Sequence, residues 1–236
     1  MDLGKAVCVV SFVALSLCGQ AAAGPFEDAM TAFTHADYPR TLELVRPLAD
    51  QGDPRAQNLL GEIYDFGSGV SKDPDKAVEL YTMAARQGFA ESQFYLGQKS
   101  KEPAEAAEWY LKAAQQGFPN AEDLLAALYA RGGKGFPRDD AQAAYWWHQA
   151  ADHGNEDAAG RLGAMYAAGR GVPKDLVQAL MWLDLAILGG PGNHAMLYER
   201  RINPRTIRDN FAASLTPEQV AEADQRADEW LAQHKK

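Results

Sequence analysis

From residue 53 onward, apolar and small side chains recur at intervals of three and four in short blocks, each closed by glycine or opened by proline. Residues 53–88 show the pattern best. Ala56, Leu59, Leu60 and Ile63 fall on one face of a 3.6-residue helix, with Tyr64 near its end. Asp53-Pro54 supplies an N-cap acceptor followed by a proline at N1, where its missing N–H has no helical partner to lose. Gly67-Ser68-Gly69-Val70 breaks the run, and Asp73-Pro74 repeats the starting device. The next helix presents Ala77, Leu80, Tyr81 and Ala84, and it ends at Gly88 in a left-handed cap. The pattern predicts two helices joined by a short loop.

The same pattern returns three more times. Gly88, Gly117, Gly154 and Gly190 are spaced by 29, 37 and 36 residues. Leu60, Leu96, Leu125 and Leu162 keep one register, and Tyr64, Tyr129 and Tyr166 follow three of them by four residues. In 89–117 the interhelix loop is about seven residues shorter, so that Leu96-Gly97 leads almost directly into Pro103. Unit boundaries at 53–88, 89–117, 118–154 and 155–190 predict an all-α fold, an α/α solenoid of stacked helix pairs. Gly61, Gly97 and Gly163 lie within helices at a cost of about 1 kcal/mol each relative to alanine, which predicts close helix contact there. Ala77, Ala106, Ala143 and Ala179 fit the same reading. Trp109, Trp146, Trp147 and Trp182 hold a fixed phase in the repeat, which predicts packing between units rather than an aromatic ligand box.

At this point a family resemblance is specific. Ala158 through Leu162-Gly163, Tyr166, Gly169, Gly171-Val172 and Asp175 is similar to the first half of a Sel1-like repeat. Ala106, Trp109-Tyr110, Ala113-Ala114 and Gly117 resemble its second half. The resemblance implies tetratricopeptide-like pairs in a right-handed superhelix and a role in protein–protein assembly. It also implies that the first helix of each pair lines the concave face. The groove positions would then be Arg55, Asn58, Glu62 and Asp65 in the first unit, and Glu91, Phe94, Gln98 and Lys101 in the second. The third contributes Asn120, Asp123, Ala127 and Ala130, and the fourth Asp157, Gly160, Ala164 and Ala167. The face grades from charged to small.

Residues 24–52 read as a degenerate leading pair, and 191–236 as capping helices. The last of these starts at Leu215-Thr216-Pro217-Glu218 and carries Val220, Ala223, Ala227, Trp230 and Leu231 as an apolar stripe. A solenoid end needs such a one-sided cap. Two occupants compete for the small-residue groove: this helix, or an apolar segment of another protein.

The N-terminus changes the cellular expectation. Lys5, the apolar run 6–17 and Ala21-Ala22-Ala23 describe a secretory signal cleaved after Ala23, far shorter than the roughly 20 residues of a membrane span. Both cysteines, Cys8 and Cys18, fall inside it. Leu15-Ser16-Leu17-Cys18 resembles a lipobox except for Leu17, so a periplasmic or secreted product is expected ahead of a lipoprotein anchored at Cys18. The formal net charge of −9 opposes binding to nucleic acid, and no transmembrane segment is expected in the mature chain. The expected partner is a protein or peptide of the cell envelope.

Catalytic chemistry finds no foothold. His35, His148, His153, His194 and His234 show no metal-ligand spacing, and no serine sits in a nucleophile elbow. Gly132-Gly133-Lys134-Gly135 lacks both the preceding strand and the order of a phosphate loop. Asp73, Asp139 and Asp175 share one repeat position, as caps do. No cofactor is implied. A second function class comes only from the resemblance, since cysteine-rich relatives are associated with β-lactam binding or hydrolysis; the mature chain lacks their bracing cysteines.

Overall fold

The computed structural model describes residues 24–188 and 204–234. The signal segment, both cysteines, Gly190, His194 and the patch 195–201 lie outside the described residues. Helices α1 (Pro25–Thr34) and α2 (Tyr38–Asp50) form the leading pair. Units 1 and 2 follow as α3 (Pro54–Phe66) with α4 (Pro74–Arg86), and α5 (Ala90–Lys99) with α6 (Pro103–Ala114). Units 3 and 4 are α7 (Pro119–Arg131) with α8 (Asp140–Asp152), and α9 (Glu156–Ala168) with α10 (Leu176–Leu188). Beyond them lie α11 (Pro204–Ala212) and α12 (Pro217–His234). The two helices of each pair pack together, and the second helix of each pair packs on the first of the next, which makes an all-α α/α solenoid.

Local chemistry explains the register. Asp53, Asp73, Asp139 and Asp175 each accept backbone N–H bonds at the start of a helix, satisfying donors that the first turn leaves unpaired. Gly67 and Gly169 close α3 and α9 at φ 77° and 65°, where a side chain would be strained. Gly61 and Gly97 have a different reason. A Cβ on Gly61 would lie 2.7 Å from the Tyr81 ring, and one on Gly97 would lie 2.5 Å from Tyr110. In units 1 and 2 the tyrosine of the second helix therefore passes directly beneath the first, and in unit 4 Leu183 and the Ala179 carbonyl crowd Gly163 in its place.

Trp146, Trp147 and Trp182 are buried as their phase predicts. Trp109 is half-buried and packs between units against Ala77, Tyr81, Ala85 and Leu96. It stands beside the short unit 2 loop, where α5 ends at Lys99 and α6 starts at Pro103. Its ring carries the Lys112 ammonium at 4.1 Å and borders a shallow cavity of about 340 Å³.

Helix α12 lies along α10, burying Ala223 and Ala227. Trp230 meets Trp182 edge-on at 6.0 Å and donates Nε1–H to Asp152 Oδ1 at 3.1 Å. Arg208 on α11 ties the end together, reaching Asp184 at 2.8 Å and Asp224 at 3.1 Å. The last helix thus packs on the second helices α8 and α10, and the first helices α7 and α9 keep Ala127, Ala130, Ala164 and Ala167 partly or fully exposed.

Candidate partner-binding face

The sixteen groove positions fall into three groups. Gln98, Lys101, Asn120 and Ala164 are exposed, and so is Arg55, whose guanidinium lies over the Phe26 ring at 4.5 Å and bridges to Glu27 and Asp53. Glu62, Glu91, Ala127, Ala130, Asp157 and Ala167 are half-buried. Asn58, Asp65, Phe94, Asp123 and Gly160 are buried, because adjacent first helices approach closely enough for one repeat position to face the next unit. Phe94 there packs on Phe118 at 5.3 Å and Tyr110 at 6.0 Å. These five shape the face from beneath.

Between units 1 and 2 the buried polar groups converge. Asn58 Nδ2 donates to Glu62 at 2.8 Å and to Glu91 at 3.1 Å, while its Oδ1 accepts from the Ser92 hydroxyl at 2.7 Å. Lys99 bonds Asp65 at 2.6 Å. Burial, reinforced by the neighbouring Glu91 carboxylate, pushes Glu62 up to about 7, and burial also raises Glu91. Tyr81 and Tyr95 stack at 4.8 Å, and burial holds both hydroxyls in the protonated form. This corner is acidic, partly dry and short of cations.

Units 3 and 4 fill the equivalent space differently. Trp147 replaces the tyrosine and donates its indole N–H to Asp123 at 2.9 Å; Arg161 from α9 bonds the same carboxylate oxygen and lies near the Trp147 ring. The acid there is fully matched.

A second column of contacts joins successive units. Gln87 donates to Gln57 at 2.9 Å and Gln116 to Gln93 at 2.8 Å. At the same place in unit 3, His153 Nδ1 meets Glu122 at 2.9 Å, with the carboxylate almost wholly buried. Burial raises Glu122, and the bond to His153 opposes that rise. The spacing of the histidines along the chain does not point to this partner. The signal was present in the repeat alignment, since both columns change from glutamine to ionisable residues in the same unit.

Among the described residues no group of three or more His, Cys, Asp or Glu could hold a metal ion, and no helix is long and apolar enough to cross a membrane. Compared with known proteins, the chain matches no curated sequence. It is similar to the crystal structure of a Sel1 repeat protein from Oxalobacter formigenes, at 34% identity over 70% of each chain with a TM-score of 0.65. It is also similar to c5321, a protective antigen of uropathogenic Escherichia coli with the same repeat fold. That match has 25% identity and a TM-score of 0.53, covering 89% of this chain and 54% of the other. The immunity protein Pa5087 of Pseudomonas aeruginosa shares the fold at 20% identity and a TM-score of 0.51, over 83% of this chain and 82% of its own. The model of the Sel1 repeat matches residues 54–89, 90–118, 119–155 and 156–191 in tandem, each beginning one residue after a boundary drawn from the capping glycines. With four consecutive repeats across most of its length, the chain belongs to the Sel1 repeat family.

Proposed function

We propose that the protein is an exported scaffold that holds a partner protein or peptide of the cell envelope against the face formed by its first helices. Sel1 repeats build a fold typical of protein–protein interaction scaffolds. The observation that carries the reading is the column Ala127, Ala130, Ala164 and Ala167, which stays accessible because α12 packs on α10. Small side chains let another backbone approach closely, and the charged residues of units 1 and 2 give the same face a polar end. The net charge of −9 argues against a nucleic-acid partner.

The test is crosslinking followed by affinity capture from the periplasmic fraction, with Ala127→Arg/Ala164→Arg beside the wild type. A partner held by the wild type and lost by the variant is expected. Equal recovery on both would contradict the placement. Intact mass of the exported product should show processing near Ala23. The scaffold is expected to be non-enzymatic, so nitrocefin turnover by the purified protein would overturn that part.

A further inference from the structure

The acidic corner between units 1 and 2 has its polar chemistry unfinished. Glu62 on α3 and Glu91 on α5 converge on a single nitrogen, Asn58 Nδ2. Asn58 cannot readily turn away, because the fully buried Ser92 hydroxyl holds its Oδ1. The one cation at hand, Lys99, is engaged by Asp65. No lysine, arginine or histidine among the described residues forms an ion pair with Glu62 or Glu91. Two half-buried carboxylates so close together repel unless one takes a proton or a cation enters.

A second observation points the same way. Tyr81 is wholly buried, and its hydroxyl has no hydrogen-bond partner. The ring runs beneath Gly61 and stacks on Tyr95, which leaves the hydroxyl within electrostatic reach of Glu62, Asp65 and Glu91. Buried polar groups are seldom left unpaired, so this oxygen marks an unfilled polar site beneath the two carboxylates. The equivalent residue of unit 3, Trp147, has its acid partner within the chain.

The chemistry of the visitor follows from what is missing. It must be cationic and must offer several donors to two carboxylates and a phenol oxygen. A guanidinium carries five N–H groups in a planar fork and is weakly hydrated, whereas an ammonium is a strongly hydrated point charge. Phe66 lies one turn beyond Glu62 and is 68% exposed, so its ring is free to stack on an incoming cation. We propose that Glu62, Glu91 and the Tyr81 hydroxyl form a receptor for an arginine side chain of the partner protein, with Phe66 flanking its entry. This deepens the scaffold reading and rests on the first helices forming the binding face.

The test uses the full chain and fluorescein-labelled peptides of alanine, glycine and serine around one central arginine, lysine or citrulline, followed by polarisation at pH about 8. The arginine peptide should bind about tenfold more tightly than its neutral citrulline counterpart and about threefold more tightly than the lysine peptide. Glu62→Gln/Glu91→Gln keeps amide oxygens for Asn58 and should retain the helical circular dichroism, yet bring arginine binding down to the citrulline level. Tyr81→Phe should weaken it about threefold. Equal binding of arginine and citrulline peptides, undiminished binding by the double variant, or no arginine binding at millimolar peptide would each overturn the receptor. The two readings fail separately. A captured partner lost with Ala127→Arg/Ala164→Arg but indifferent to Glu62→Gln/Glu91→Gln keeps the scaffold and removes the receptor. Selective arginine-peptide binding without a captured partner keeps the receptor and removes the scaffold reading.

Discussion

Units 1–2 and units 3–4 share one backbone plan and resolve the same buried position in opposite ways. In units 3–4 the carboxylate of Asp123 is met by the Trp147 indole and the Arg161 guanidinium. In units 1–2 the carboxylates of Glu62 and Glu91 share one amide nitrogen, and the Tyr81 hydroxyl beneath them is unpartnered. A solenoid needs the same apolar packing in every repeat. It does not need the same polar satisfaction, because neighbouring helix pairs carry the stability. The buried acid site is closed within the chain in one half of the face and left open in the other.

The largest effect should come from the closed half. Trp147→Ala removes a buried ring and leaves Asp123 with Arg161 alone, and chemical denaturation should show a loss of about 3–5 kcal/mol. Trp109→Ala, at the half-buried equivalent of its neighbour Trp146, should cost only about 1–2 kcal/mol in the same assay. Equal losses would contradict the difference in burial between the two sites. Next comes Arg161→Met, which leaves the buried Asp123 with the indole alone. A loss of about 2 kcal/mol is expected, and a neutral result would mean that Arg161 contributes no net stability.

The open half should respond in the other direction. Glu62 ionises at about 7 in the folded chain, above its ordinary 4.5. A carboxyl raised on folding contributes stability that is present below its unfolded value and lost as pH rises through the folded one. The window is therefore pH 4.5 to about 7. Glu62→Gln should stabilise the protein at pH about 8 by about 1–2 kcal/mol, after allowance for partial exposure. It should also flatten the loss of stability over that window. Destabilisation at every pH would show that the carboxylate is satisfied after all.

The smallest effect belongs to the inter-unit column. Glu122→Gln/His153→Gln rebuilds in unit 3 the amide pair of units 1 and 2, and should change stability near pH 7 by under about 1 kcal/mol. Burial raises Glu122, so the wild type should lose ground to this variant as pH rises above the ordinary glutamate range. A widening gap towards low pH would reverse the assignment.

The fold was legible because each helix carries its own start, stop and packing residues, and four copies agree. Trp109 packs between units 1 and 2 as its phase in the repeat predicts, and its partial exposure beside the short unit 2 loop is a neighbour effect invisible in the helix pattern. Glu62 and Glu91 were both placed on the binding face, but their meeting was not foreseen. They occupy different repeat positions, two residues after Leu60 and five before Leu96, so only the stagger between adjacent units brings them to one nitrogen. Tyr81 and Arg161 were hidden for a related reason. A residue that serves the core in one unit can reach the face through a gap such as Gly61, and periodicity alone does not reveal where its polar tip emerges.

The most direct measurement is a carbon-detected NMR titration of the glutamate side chains, run with and without the arginine peptide. Glu62 should titrate near 7 in the free chain, and its midpoint should fall by one unit or so once a guanidinium is bound, since an adjacent cation favours the charged form. A Glu62 midpoint in the ordinary carboxylate range, unchanged by the peptide, would contradict the claim that this half of the face is left open for a cation.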